Sequence, residues 1–205
     1  INRAILMATL RLASLLSVRD NLSANYLSQM GLKPLITPDP AFLLPCHQIT
    51  ERPEKKGVFT IGVNLRTWNY PPEFYRDLVS KLRSLKQKVQ LIFLCSPPDV
   101  SLARSLMDRN DKVILCTLQK PSHIVRTVIR ELDLIISMRL HFLIVALLAG
   151  KPAIAIPYLP KVSTFSHKFG IPMIHPTPQL DIERLQRIVR SSILCLLYTS
   201  PSPRD

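Results

Sequence analysis

Three short segments of this sequence place cationic and hydrogen-bonding side chains directly after apolar runs: Asn64-Leu65-Arg66-Thr67-Trp68, Ser137-Met138-Arg139-Leu140-His141 and Tyr158-Leu159-Pro160-Lys161. An arginine grips a carboxylate or phosphate through paired N–H donors, whereas a lysine offers a compact point charge. Arg139 and Lys161 are therefore candidate anion ligands, with Arg66 and Asn64 as further substrate contacts. His141 is the candidate proton donor. The neighbouring arginine disfavours a protonated imidazole and a bound dianion favours it, so ligand binding would load the proton that a general acid gives up. A single histidine in an apolar helix more often serves structure, and Arg66 and Trp68 would suit any surface loop. Recurrence at three segment ends favours a ligand site.

What must position these residues is a regular alternation that begins at Gly57. Val58 to Val63 reads as a strand, Pro71 to Leu85 as a helix with Phe74, Leu78 and Leu82 on one face, and Val89 to Cys95 as a strand. Pro98 to Arg109 reads as a helix, Lys112 to Thr117 as a strand, Pro121 to Leu132 as a helix and Leu134 to Ser137 as a strand. Leu140 to Ala149 is a helix closed by Gly150, and Pro152 to Pro157 a strand. A short helix (Ser163 to Phe169), a short strand (Met173 to His175) and a last helix (Asp181 to Arg190) complete the series. Such alternation, with wholly apolar strands, predicts an α/β fold: a Rossmann-like parallel sheet covered on both faces. Ligands of these sheets bind beyond the carboxyl ends of the strands, where all three segments fall. Neither a GxGxxG nor a P-loop pattern occurs, and with five glycines in the chain a conventional dinucleotide site is not expected.

Ahead of the alternation, Ile1 to Gly31 reads as mainly helical, with Asp20 or Ser23 capping a helix that runs to Met30. Lys33 to Lys56 carries prolines at 34, 38, 40, 45 and 53 and reads as an extended connection. Cys195 to Asp205 has no period and resembles a translated sequencing adapter, so it is set aside as a non-native tail.

The 205 residues suffice for one α/β domain and part of another. Lys and Arg number 27 against 14 Asp and Glu, a formal charge of +13, which favours anionic partners such as phosphate-bearing substrates or lipid headgroups. The basic residues are scattered rather than interleaved with aromatics, so nucleic acid is not expected as a partner. Cys46, Cys95 and Cys116 form no CxxC pair and read as reduced residues of a cytoplasmic protein. No apolar stretch reaches the ~18 residues of a membrane helix. Ile1 to Val18 is broken by Arg11 and followed by no small-residue cleavage site.

Ser137-Met138-Arg139-Leu140-His141, then Gly150-Lys151-Pro152, then Tyr158-Leu159-Pro160-Lys161 resembles the signature of the polysaccharide pyruvyl transferase family, in particular its bacterial CsaB-like members. Ser17-Val18-Arg19-Asp20, Asp39-Pro40-Ala41-Phe42 and Gly62-Val63-Asn64-Leu65-Arg66 resemble further family segments in the same order, so the likeness runs from about Leu16 to Arg190. The resemblance implies a two-domain enzyme like the GT-B glycosyltransferases. Residues 1–35 would be a remnant of the first domain, 36–56 a linker, 57–194 the donor-binding second domain and 195–205 the tail. It also implies transfer of the enolpyruvyl unit of phosphoenolpyruvate to two hydroxyls of a sugar, forming a ketal on a lipid-linked or polymeric glycan. Arg139, Lys161 and Arg19 would hold the donor's phosphate and carboxylate, and His141 would protonate its enol carbon. Neither metal nor cofactor is implied. The implied setting is the cytoplasm, at the inner face of the membrane, with peripheral contact to anionic lipid. One segment departs from the pattern: Asp99 fits an aspartate that follows a strand in related sequences, but Phe93 to Pro98 fit less well. Two rival readings remain. A glycosyltransferase using a nucleotide sugar would need an acidic ribose ligand between Lys161 and Gly170, where none occurs, and Asp133 and Asp181 are poorly placed. A non-catalytic basic module would bind anions in a steeply salt-dependent way and survive loss of His141.

Overall fold

A computed structural model describes residues 3–44, 58–85, 88–116, 121–176, 183 and 185–191. Cys46, the remainder of the proline-rich connection, Asp181 and the tail from Cys195 lie outside the described residues. The chain forms two compact units, Ile1–Leu43 and Leu44–Asp205.

The first unit contains α1 (Arg3–Arg11), β1 (Ser17–Val18), α2 (Asn21–Ser28), β2 (Leu35–Ile36) and a 3-10 turn at Pro40–Leu43. Asp20 caps α2, its carboxylate accepting from the Ser23 N–H at 2.7 Å and so satisfying a donor that the helix cannot. The described part of the proline-rich segment is not uniformly extended: Leu35 and Ile36 pair in parallel with Ser17 and Val18, strands that the sequence pattern does not mark, and Pro40–Leu43 turns as a 3-10 helix. Pro34 lacks a donor, yet Leu35 and Thr37 on either side of Ile36 donate to the Leu16 and Val18 carbonyls at 2.8 Å.

The second unit alternates as the sequence predicts. It runs through β3 (Phe59–Asn64), α3 (Pro72–Arg83), β4 (Val89–Cys95), a 3-10 turn at Pro97–Asp99, α4 (Val100–Leu106), β5 (Lys112–Leu115) and α5 (Pro121–Glu131). It continues through β6 (Leu134–Ser137), α6 (Leu140–Leu148), β7 (Ala153–Ala155) and α7 (Pro160–Lys168). The five strands form one parallel sheet in the order β5-β4-β3-β6-β7. Alternate residues of the strands point to opposite faces. Ile61, Leu91, Phe93, Leu134 and Ile136 pack against Phe74, Leu78 and Leu82 of α3, and Leu185 and Val189 join that layer. Ile92, Leu94, Ile135 and Ala155 pack on the other side against Val125 and Val128 of α5 and Phe142, Leu143 and Ala146 of α6. The expected strand at Met173 to His175 is reduced to one bridge, Ala155 to Met173. The helix expected from Ser163 begins at Pro160 instead. Proline is favoured at a first helical position, where its missing N–H leaves nothing unsatisfied, and this puts Lys161 in the first turn of α7.

Candidate functional site

The carboxyl ends of β4, β3, β6 and β7 lie side by side, and one buried amide ties three of them. Asn64, the last residue of β3, is wholly buried. Its Nδ2 donates to the Leu94 carbonyl on β4 at 2.6 Å, and its Oδ1 lies 3.1 Å from the Ser137 hydroxyl and 3.3 Å from the Arg139 N–H beyond β6. The Arg139 N–H also donates to Ser137 Oγ at 3.0 Å, and the Ser137 hydroxyl reaches the Arg139 carbonyl at 2.9 Å. Both ends of the Asn64 amide are thus occupied by protein, which places it beneath the edge as a frame.

Arg139 is the N-cap of α6, in extended conformation. Its side chain is 25% exposed, and Nη2 donates to the carboxylate of Asp99, itself 3% exposed in the turn after β4. His141 follows as the second residue of α6 and is exposed, while Leu140 and Phe142 on either side of it are buried. The helical period therefore turns the imidazole away from the core at the helix end whose free N–H groups and dipole favour an anion. Lys161 occupies the matching place on α7: it is exposed, one residue inside the helix start, after an N-cap (Leu159) that makes no side-chain cap bond.

Arg66, just past β3, is held from several sides. Its guanidinium lies 5.1 Å from the Trp68 ring centre and 5.4 Å from that of Tyr158, with Nη1 donating to the Tyr158 hydroxyl at 3.3 Å. The Tyr75 hydroxyl donates to the Arg66 carbonyl at 2.9 Å and accepts from the Trp68 N–H at 3.2 Å. Trp68 meets Tyr158 edge to face at 5.0 Å, and Tyr70 donates to the Pro157 carbonyl at 2.9 Å, so the loops after β3 and β7 are joined across β6. Burial raises the Tyr75 phenol above its ordinary value, the Trp68 N–H partly offsets this, and the Asp99 carboxylate adds to it. Burial likewise raises Tyr70, with Tyr75 beside it. Both remain neutral donors.

The edge therefore gathers Asn64, Arg66, Arg139, His141 and Lys161 on one sheet. Arg19 belongs to the first unit, where its Nη1 donates to Asp39 Oδ2 at 2.7 Å and Asp39 Oδ1 accepts from the Ala41 N–H at 3.0 Å. Sequence reasoning placed Asp99 after a strand without finding its partner; Arg139 lies forty residues on, and no local pattern joins them. Cys95 ends β4 near these groups, but burial pushes its thiol up to about 12, with Cys116 and Asp99 adding and Arg139 opposing. A neutral thiol is a poor nucleophile. Asp133 bonds the Thr60 N–H at 2.8 Å near the start of β3, at the opposite edge of the sheet. Among the described residues, no group of three or more His, Cys, Asp and Glu could hold a metal ion. Nor is any described helix long and apolar enough to cross a membrane.

A family model described as polysaccharide pyruvyl transferase matches residues 1–160. Among solved structures, the chain is similar to the E. coli ADP-heptose lipopolysaccharide heptosyltransferase II, at 16% identity over 80% of this chain and 54% of that one, with a TM-score of 0.51. It is similar in the same degree to the lipopolysaccharide outer core galactosyltransferase WaaB, at 16% identity over 88% and 54% with a TM-score of 0.51. At such identity the likeness is one of fold, a Rossmann-like domain of the GT-B kind. The chain spans about half the length of these solved structures. No curated protein matches it.

Proposed function

This chain belongs to the polysaccharide pyruvyl transferase family, and we propose that the Arg139–His141–Lys161 edge takes phosphoenolpyruvate as donor and passes its pyruvyl unit to two hydroxyls of a glycan sugar. The observation that carries this reading is Arg139 at the cap of α6, partly open, two residues before an outward-facing histidine. Arg139, Lys161 and Arg66 supply positive charge for a donor bearing both phosphate and carboxylate. The starts of α6 and α7 add N–H groups of the same polarity.

In this reading His141 gives its proton to the methylene carbon of the enol, which becomes a methyl group and leaves a cationic carbon beside it. One sugar hydroxyl attacks that carbon. The bond to the phosphate oxygen then breaks, and a second hydroxyl closes the cyclic ketal. Of the two hydroxyl protons released, one restores His141 and the other leaves with phosphate. The acceptor is a lipid-linked or polymeric cell-surface glycan, and the charge of +13 suits work beside an anionic membrane. Asp133 at the far edge is no ribose ligand for this face, which argues against a nucleotide-sugar donor.

The test is phosphate release from phosphoenolpyruvate by the full-length enzyme, across candidate lipid-linked disaccharides. Replacing His141 with alanine should lower kcat by about 10²–10⁴-fold and leave phosphoenolpyruvate binding within a few-fold. A variant that turns over like the parent would end the assignment of His141.

A further inference from the structure

A carboxylate buried against an arginine that must receive an anion calls for an explanation, because it repels the incoming charge. Joining the ends of β4 and β6 does not supply one: Asn64 already bonds the Leu94 carbonyl and the Arg139 N–H. Asp99 touches the Arg139 side chain instead, and only at Nη2. The adjacent Nε is buried and makes no hydrogen bond. Nη1, the other amine of the fork, likewise makes none among the described residues, while the side chain as a whole keeps 25% of its surface open. The guanidinium is thus gripped at one corner from inside the fold.

We infer that Asp99 is a positioning residue: it clamps one amine of Arg139 from the β4 side so that the other is aimed at the donor's anionic oxygens. This role rests on Arg139 binding the donor. An arginine has four rotatable bonds, and a two-pronged contact needs its plane set within narrow limits. Asp99 can set it because it is rigidly placed, 3% exposed in a turn whose own N–H bonds the Ser96 carbonyl at 2.9 Å. What matters here is a fixed oxygen acceptor, with the negative charge incidental.

The experiment is steady-state kinetics of the full-length enzyme with phosphoenolpyruvate varied, for Asp99→Ala, Asp99→Asn, Arg139→Ala and the Asp99→Ala/Arg139→Ala pair. Loss of a hydrogen bond to a charged group corresponds to about a tenfold change. Asp99→Ala should raise KM for phosphoenolpyruvate by about that factor and leave kcat within a few-fold. Asp99→Asn, whose amide oxygen still accepts from Nη2, should restore KM to near the parent value. In the Arg139→Ala background, Asp99→Ala should add nothing. An unchanged KM in Asp99→Ala, an equal loss in Asp99→Asn, or a full further loss without Arg139 would each overturn the role. Should Asp99→Ala not fold, Asp99→Glu serves in its place, since one added methylene keeps the charge but shifts the oxygen and should also raise KM. If the parent enzyme releases no phosphate from phosphoenolpyruvate, the reading of the donor fails by itself. Asp99 is then judged by calorimetric binding of inorganic phosphate, where the parent and Asp99→Asn should bind alike and Asp99→Ala more weakly.

Discussion

Replacing Asn64 with leucine keeps the branched shape, adds some volume at a wholly buried position and removes every polar contact that the side chain makes. The Leu94 carbonyl loses its donor at 2.6 Å, and Ser137 Oγ and the Arg139 N–H each lose a partner at 3.1 and 3.3 Å. The last two retain each other, at 3.0 Å from N–H to Oγ and 2.9 Å from the hydroxyl to the Arg139 carbonyl. One weakly compensated acceptor at about 1–3 kcal/mol, with two loosened bonds at roughly 0.5 kcal/mol each, gives roughly 2–4 kcal/mol of lost stability. Urea unfolding measures this, and the fluorescence of Trp68, the single tryptophan, reports on the second unit. With a slope of about 2 kcal/mol per molar urea, the midpoint should fall by roughly 1–2 M. A parent-like midpoint combined with a large loss of phosphoenolpyruvate affinity would refute the framing role and make Asn64 a direct ligand.

Two further outcomes follow from the same packing. A Cβ added at Gly62 on β3 would stand 2.4 Å from Leu132 Cδ1, whose side chain is wholly buried; Gly62→Ala should cost about 1–3 kcal/mol, and less in a Leu132→Ala background, by the same urea titration. Burial raises the thiols of Cys95 and Cys116 from 9.0 to about 12 and about 11. Their native values lie above the unfolded one, so stability should be intact below pH 9 and decline as pH rises from there toward 11–12. Midpoints measured at pH 8 and 10 should show that decline, and a Cys95→Ala/Cys116→Ala variant with the same decline would count against it. Iodoacetamide at pH 8 should label neither thiol until the chain is unfolded.

The sheet was legible in the sequence because its strands are short apolar runs buried on both faces, a pattern with few alternatives. Val89 to Cys95 and Leu134 to Ser137 form strands with the bounds their composition predicts, and Gly150 closes α6 with a φ of 61°. Asp20 caps its helix for an equally local reason. The pairing of β1 with β2 was not legible, since two residues carry no period. Pro160, rather than Ser163, opens α7 because a proline's preference for the first turn outweighs the apolar pattern after it. The sequence by itself determined which side chains stand at the strand ends, because register and alternation are local. Which of them meet was decided by the strand order β4-β3-β6 alone. That order sets Asn64 against Ser137, seventy-three residues away, and Asp99 against Arg139, forty away; such pairs exist only once crossovers bring distant strands into neighbouring places.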